Sequence, residues 1–422
     1  MSIIDLYDLF IHNPQITTDS RNCPKGSIFF ALKGDKFDGN QYAGKALASG
    51  CVYAVIDNPD YYIGERTILV DNVLKTLQQL AHHHRKVLGL PIIGITGTNG
   101  KTTTKELLAA VLSTKFNLLY TEGNFNNHIG VPLTHDHEMA VIEMGASHPG
   151  DIKELVDIVH PNYGIITNVG RAHLEGFGSF EGVIRTKGEL YDYIRRSKGK
   201  IFIKKENEYL QSIAKGIEQI TYGNGDDAFA SGQVVSCDPF LVFNWKQQGK
   251  LHTVETHMIG SYNLDNVLAA VAVGRFFKIP AERISRAIAA YEPTNNRSQF
   301  KKTDNNELII DAYNANPSSM KVALDNFITM PVQPKAIILG DMRELGPTSD
   351  ELHAEVVEQI KKGQFDKVFL CGEHFSKVGK EFSPFATTEA MVEELRKQPL
   401  KGYHILIKGS HSMGLEKLAD IL

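Results

Sequence analysis

The chain has 422 residues, 42% of them hydrophobic and 22% charged, with a formal net charge of -4. That length exceeds one ordinary core and calls for two or three domains, while a slightly acidic balance offers no general basic field for nucleic acid, so an anionic ligand must be held by local groups. No apolar run approaches the ~20 residues of a membrane span, the first eleven residues carry Asp5 and Asp8 and no basic residue, unlike a signal or transit peptide, and Cys23, Cys51, Cys237 and Cys371 lie too far apart for zinc or redox spacing, as expected of reduced thiols in a cytoplasmic protein.

Residues 1–88 read as a small α/β unit with strands at 27–32 and 52–56 and a helix at 70–87. His82, His83 and His84 lie in that helix, where adjacent side chains point in different directions, so their spacing does not suit a metal. Leu88-Gly89-Leu90-Pro91 reads as a linker. The β-branched run that follows breaks at Gly97-Thr98-Asn99-Gly100-Lys101-Thr102-Thr103 into a glycine-rich loop that opens a helix expected over 102–115. Such a loop converges backbone N–H groups on phosphate oxygens, places the Lys101 charge near the outer phosphates and offers the Thr102 hydroxyl to Mg2+. The common phosphate-loop spacing requires glycine at 95; this chain has Ile95, with glycines at 94 and 97.

From 92 to about 292, strands at 140–144, 165–169 and 201–203 alternate with helices, which implies a mostly parallel sheet covered on both faces. Glu143 ends the run Met139-Ala140-Val141-Ile142, at the sheet edge where such folds bind ligands; it reads as a metal ligand or as a strand-end acid facing solvent. His173 follows the next strand and reads as a ligand or a surface loop histidine. Lys187 reads by default as a solvated helix residue. His135-Asp136-His137 is a metal candidate or, more simply, a solvated turn. Residues 228–258 break the alternation with short strands, a β insertion, before helices at 263–277 and 281–291.

Pro293-Thr294-Asn295-Asn296 is a second hinge candidate. A further series follows: strands at 308–311, 336–339, 367–371 and 404–407, and helices at 318–329, 349–361, 388–396 and 414–421, which predict a second doubly wound domain. It carries no Gly-x-Gly-x-x-Gly fingerprint for a dinucleotide. Asp311-Ala312-Tyr313-Asn314-Ala315-Asn316-Pro317 places an acid at a strand end before a polar turn, suited to hydroxyl or amide contacts or simply to a helix start.

Taken together, these residues resemble the Mur ligases of peptidoglycan synthesis over nearly the whole chain. The resemblance rests on Thr18-Asp19-Ser20-Arg21, Phe37-Asp38-Gly39-Asn40, the 97–103 loop with its unusual spacing, Gly123-Asn124-Phe125-Asn126-Asn127, Ile142-Glu143-Met144-Gly145-Ala146, 168–178, 311–317, Gly340-Asp341-Met342-Arg343-Glu344-Leu345-Gly346 and Lys408-Gly409-Ser410. It implies an α/β protein of three domains: a UDP-sugar-binding domain at 1–88, a central ATP-binding domain at 89–292 and a C-terminal Rossmann-like ligase domain at 293–422. It implies ATP at Gly97, Thr98, Asn99, Gly100, Lys101, Thr102 and Thr103, with Asn263 and Asn266 on adenine and Arg297 and Asp311 reaching phosphate and ribose. Thr102, Glu143 and His173 would hold Mg2+, and Lys187 would be carbamylated by CO2 to help position a second metal. With Lys101, the residues Glu143, His173 and Lys187 form the implied catalytic set. Ser20, Arg21, Asn124, Asn126, Asn127, Tyr313 and Asn316 would contact the substrates.

Within the family, the 311–317 and 340–346 motifs point to the activity that adds D-alanyl-D-alanine to UDP-N-acetylmuramoyl-tripeptide through an acyl phosphate, by a cytoplasmic monomer without nucleic-acid or membrane partners. Asn40, Tyr262 and His411 depart from the family pattern, which carries His, His and Arg there, and the 131–138 connection is shorter than expected. Competing readings are a sister Mur ligase, a folylpolyglutamate synthase, or a nucleotide-hydrolysing switch. The synthases carry their loop near the N-terminus, the third-residue ligase carries an Asp-Asn-Pro-Arg-type motif, and a GTPase needs Asn-Lys-x-Asp; none of these features occurs here.

Overall fold

The structure is a computed structural model that describes residues 1–34, 37–121, 137–294 and 296–422. By its own contacts the chain forms two compact units, one of Met1–Gly94, Phe116–Met144 and Lys153–Asn162, the other of Ile95–Lys115, Gly145–Ile152 and Tyr163–Leu422.

In the first unit, strands Ile16–Thr17, Ile28–Phe30, Tyr53–Ile56 and Thr67–Leu69 form a parallel sheet in that order. Helix Ile3–His12 starts at a capping box in which Ser2 and Asp5 satisfy each other's backbone N–H. Helix Val73–Leu88 begins three residues later than its apolar pattern suggested, because 67–69 joins the sheet and Asn72 caps the helix through Lys75 N–H. Gly89 ends it at φ 60°. Leu6, Phe10, Phe30, Val55, Leu77 and Leu80 fill the core between helices and sheet. The three adjacent histidines diverge: His84 is buried with Nδ1 3.1 Å from the Tyr7 hydroxyl, His83 packs edge-on against Tyr7, and His82 against His160. Strands Leu118–Tyr120 and Met139–Glu143 pair in parallel, the second buried at every position.

In the second unit the strands Lys250–Ile259, Phe240–Gln247, Ala230–Cys237, Glu218–Gly223, Lys200–Lys204 and Tyr163–Ile166 form a sheet in that order. Its strands from 163 to 237 run parallel, and the last two continue it antiparallel. The stretch expected as an insertion of short strands is thus an extension of this sheet, in strands of 8, 8 and 10 residues. Its alternation buries Leu241, Phe243 and Trp245 on one face. Helix Leu264–Phe276, apolar nearly all round, packs against the helix Lys101–Leu112. Gly274 permits the approach, since a Cβ there would sit 2.8 Å from Val111.

The C-terminal sheet orders Gln299–Lys302, Glu307–Asp311, His404–Lys408, Lys335–Gly340 and Lys367–Cys371. Four strands are parallel, as the βα alternation predicts; Gln299–Lys302 is an antiparallel edge too short and polar to be seen in the pattern. The helix expected at 414–421 is instead a 3-10 turn, Leu415–Asp420, following Gly414 at φ 63°. Leu415 and Leu418, three apart, eclipse on a three-residue turn and both enter the core. All four cysteines are free. Among the described residues, no helix is long and apolar enough to cross a membrane.

Trp245 is the chain's one tryptophan, fully buried with its indole N–H 3.1 Å from Ser285 Oγ. Its fluorescence should be blue-shifted in the native protein and report loss of the sheet extension in urea. Trp245→Ala should destabilise that transition by about 3–5 kcal/mol, read as a fall in the denaturation midpoint by circular dichroism.

Candidate nucleotide and metal site

The buried strand Ile92–Thr96 delivers the loop 97–100 to the start of helix Lys101–Leu112. No side chain caps that helix, so its first N–H groups and the positive end of its dipole face the loop mouth. Two glycines make the geometry possible. Gly97 has φ +145° and a Cβ there would lie 2.0 Å from Thr167 Oγ1; Gly100 has φ +76° and a Cβ would meet Asn266 Oδ1 at 2.7 Å. Gly94 serves a different purpose, lying in the strand where a Cβ would strike Met144 and Pro161.

The loop is buttressed by the strand end that follows Tyr163–Ile166. Thr98 N–H donates to Asn168 O and Asn99 N–H to Asn168 Oδ1, both at 3.0 Å. In return Asn99 O accepts from Thr167 Oγ1 at 2.6 Å and Asn168 Nδ2 at 3.0 Å. Lys101 folds back over the loop, its Nζ donating to Gly97 O at 2.8 Å and Thr98 O at 3.1 Å. Thr102 is buried in the first helical turn and Thr103 is half-buried. On the other flank, Thr104 Oγ1 donates to Asn266 Oδ1, Asn266 Nδ2 to Asn263 Oδ1, and Asn263 Nδ2 to Ile259 O. The two asparagines expected on adenine therefore form one chain tied to the phosphate-loop helix.

His173 has φ 50° and stands at the head of the turn Leu174–Phe177, its Nδ1 paired with the Glu344 carboxylate. Burial pulls its pKa below the ordinary histidine value; Glu344 opposes this, and the charges of Lys101 and Lys187 add to it. Lys187 is not the solvated residue that its helix position suggested. It is 2% exposed in the helix Phe180–Arg196, with Nζ 3.4 Å from Ala146 O and 5.2 Å from the Phe177 ring centroid. Burial, reinforced by the Lys101 charge, pulls it down to about 7, against the opposing charges of Asp151 and Glu189.

From the C-terminal part of the same unit, Asn316 Nδ2 donates to Asn99 Oδ1 at 2.8 Å while Asn316 also caps helix Pro317–Thr329. Arg171 N–H donates to Ser318 Oγ at 3.1 Å. Arg297 lies over the Tyr313 ring, 3.8 Å from its centroid, and its buried Nε has no hydrogen-bond partner among the described residues; His411 stacks against Tyr313. Asp311 accepts Ser298 N–H and is ion-paired at 2.5 Å with Lys408, directly across from it on the neighbouring strand. Lys408, Asn168, Ser318 and Glu344 were not singled out as site residues in the sequence. Lys408 had a signal, an opposite charge at the end of a strand carrying a named motif; the others emerge only from folding.

In the first unit, Glu143 is 2% exposed at the end of its strand, and its backbone N–H donates to Thr121 Oγ1; a solvent-facing acid is excluded. Arg21 is exposed and paired with Asp19, whose carboxyl this hydrogen-bonded partner lowers to about 2; Ser20 is half-buried. Asn40 is buried, bridging Asp38 and Asp57. Asn124, Asn126, Asn127, the 135–136 pair and most of the short connection lie outside the described residues. Among the described residues no three His, Cys, Asp or Glu side chains gather around one point. The Thr102 hydroxyl and the His173 imidazole in the second unit, and the buried Glu143 carboxylate in the first, are each donors of a kind that Mg2+ accepts, since it takes few protein ligands and completes its shell with water and phosphate oxygens.

Gly97→Ala should abolish ATP and ADP binding in a calorimetric titration, because it must displace Thr167 and with it the buttress. In CO2-free buffer, Lys187→Met should stabilise the fold on the order of 5 kcal/mol below pH 7, because the lysine is lowered from 10.5 to about 7 at 1.36 kcal/mol per unit. The gain should shrink as pH rises from 7 to about 10.5, the unfolded lysine value, and vanish above it, since both states are then neutral. Urea titrations across that range measure it.

Three segments match family models in chain order: the Mur ligase family catalytic domain over 12–85, the Mur ligase middle domain over 95–274 and the Mur ligase glutamate ligase domain over 296–411. The chain is 34% identical to the UDP-N-acetylmuramoyl-tripeptide–D-alanyl-D-alanine ligase of Bacillus subtilis (strain 168), covering 96% of this chain and 92% of the relative. Among solved structures it is similar to MurF from Acinetobacter baumannii (TM-score 0.86, 29% identity, 96% of this chain and 93% of that one). It is also similar to MurF ligase from Thermotoga maritima in complex with ADP (TM-score 0.87, 25% identity, 97% of each). With near-full-length similarity of this order, and with a loop built for a nucleotide phosphate at its centre, the chain belongs to the Mur ligase family of ATP-dependent, amide-forming ligases.

Proposed function

We propose that the chain joins D-alanyl-D-alanine to UDP-N-acetylmuramoyl-tripeptide in peptidoglycan precursor synthesis. The observation that carries this reading is the 34% identity over 96% of the chain to a ligase of that name. It is supported by the 311–317 and 340–346 motifs, which contact the phosphate loop and the His173 turn through Asn316 and Glu344.

In the first step a carboxylate oxygen of the tripeptide attacks the γ-phosphorus of ATP, the bond from that phosphorus to the β–γ bridging oxygen breaks, and ADP leaves. In the second, the amine of D-alanyl-D-alanine attacks the acyl carbon, the C–O bond to phosphate breaks, and the nitrogen gives up its proton. Residues 97–103 cradle the phosphates and the Lys101 charge offsets the negative charge gathering on the transferred group. Asn263 and Asn266 serve the adenine side, Arg297 a phosphate and Asp311 the ribose. The orphaned Arg297 Nε is a donor awaiting an acceptor. Thr102, Glu143 and His173 are the residues that would hold Mg2+, which supplies charge neutralisation of the phosphates.

Lys187 is proposed to be carbamylated. Its low pKa leaves much of the amine neutral near pH 7, and it is the neutral amine that adds to CO2, forming an N–C bond and releasing one proton. The product exchanges a poorly compensated cation for an anion suited to a metal site. Ser20, Arg21, Asn124, Asn126, Asn127, Tyr313 and Asn316 remain the substrate contacts. The organisation into domains at 1–88, 89–292 and 293–422 is supported by the three family segments. A cytoplasmic monomer completes the reading.

Phosphate release in the presence of ATP, Mg2+ and UDP-N-acetylmuramoyl-tripeptide should require D-alanyl-D-alanine and should not respond to glutamate. Release without any acceptor, or a preference for glutamate, would overturn the proposal. Lys187→Ala should abolish turnover, and added bicarbonate should not restore it; near-normal activity in that variant removes the carbamate.

A further inference from the structure

The turn after strand Lys335–Gly340 carries two acids of the 340–346 motif in different circumstances. Asp341 is fully buried, accepts the backbone N–H groups of His374 and Phe375 at 3.0 Å and faces His353 at 3.6 Å; it holds its own domain together. Glu344 has a largely exposed side chain, yet its carboxylate is directed at the Nδ1 of His173, 171 residues away in sequence. Both partners occupy the left-handed region, at φ 50° for His173 and 62° for Glu344. Non-glycine residues stay there only where their surroundings hold them.

The surroundings here do so from several directions. Glu175 N–H donates to Glu344 O at 3.4 Å. Leu174 packs against the hydrophobic cluster that includes Met342 and Leu345. Gly346, at φ 61°, lies beside Glu175, where a Cβ would make ordinary contact at 3.6 Å. The turn that bears His173 is therefore seated on the turn that bears Glu344 by polar and apolar contacts together.

An imidazole presents two nitrogens, and which one carries the proton is set by what the other meets. A carboxylate at Nδ1 favours the Nδ1–H tautomer, fixes the ring plane and leaves the Nε2 lone pair free to ligate. We propose that Glu344 is a positioning residue that orients His173 toward a divalent cation, so that seating of the 341–346 turn completes the metal site. The inference rests on the reading of His173 as a metal ligand. It gives the 340–346 motif a function and ties the C-terminal sheet to the metal through one side chain.

The test is binding of Mn2+ to the full-length protein with a non-hydrolysable ATP analogue, followed by the electron paramagnetic resonance signal of free Mn2+. Glu344→Ala should weaken Mn2+ binding about 10–100-fold and raise the Mg2+ concentration for half-maximal phosphate release in parallel, with most of kcat recovered at saturating Mg2+. Glu344→Gln, whose amide oxygen still accepts from Nδ1–H, should bind Mn2+ nearly as the native protein does. Should alanine at φ 62° fail to fold, Glu344→Met keeps the side-chain length and removes the acceptor. Unchanged Mn2+ affinity in the alanine and methionine variants would overturn the proposal, as would a glutamine variant as weak as alanine, which would assign the effect to net charge. His173→Ala separates the two levels: native-like Mn2+ affinity in that variant defeats the ligand reading itself, whereas weak binding there with native binding in Glu344→Ala defeats only the positioning role.

Discussion

The second unit depends on keeping one short stretch of backbone in a shape it would not hold by itself. A loop that binds phosphate must aim its N–H groups outward, and so cannot satisfy them internally. Here the other side of the same peptides is locked instead: Asn99 O takes two donors, from Thr167 and Asn168, and Asn168 returns acceptors to the N–H groups of Thr98 and Asn99. Glycine at 97 is the cost of the close approach that makes those bonds. The segment that performs the locking runs on within a few residues to His173, so the shape of the phosphate loop and the placement of the histidine are set by one strand end. Asn266 completes the arrangement from the opposite flank through Thr104.

Charge separates structural lysines from chemical ones in this unit. Lys408 is 1% exposed but lies against the Asp311 carboxylate at 2.5 Å, so its charge is directly paired. Lys187 is buried to the same degree, has a carbonyl and an aromatic ring beside its ammonium, and feels the like charge of Lys101 more strongly than the opposing charge of either Asp151 or Glu189. A chain optimised for stability alone would put a methionine there.

How much of this could be read from the sequence follows the range of the interactions involved. The phosphate loop, the strand ends bearing Glu143 and Asp311 and the βα alternation of the C-terminal sheet depend on neighbours within a few residues, and the pattern of residue types reveals them. The burial of Lys187 does not, because in the helix Phe180–Arg196 it sits among polar residues, and only the packing of Phe177 and Ala146 over it removes it from water. The same holds for the Asn99–Asn316 and His173–Glu344 pairs, separated by 217 and 171 residues. The last turn was misread for a local reason: six residues with apolar positions at i and i+3 fit a 3-10 turn as well as an α-helix, and the glycine before them starts the tighter form. Residues expected on substrate acquired structural partners too. Asn316 is at once a helix cap and a contact to the phosphate loop, so its side chain helps set the loop before any substrate arrives.

Beside the phosphate loop the C-terminal part makes polar contacts, Asn316 to Asn99, Ser318 to Arg171 and Glu344 to His173, with Leu174 as an apolar anchor, while Ile259 and Phe240 join its hydrophobic cluster farther away. A neutral hydrogen bond contributes about 0.5–1.5 kcal/mol net, so the set amounts to a few kcal/mol, within the range that a bound ligand can create or reverse by differential affinity. An acyl phosphate requires such a balance. Water must be excluded while it exists, yet the product must leave when the amide has formed. A large hydrophobic interface would secure the first requirement and defeat the second. Polar contacts to the residues of the phosphate loop serve both, because the charge of the bound nucleotide, once changed by the reaction, alters the groups that hold the contact together.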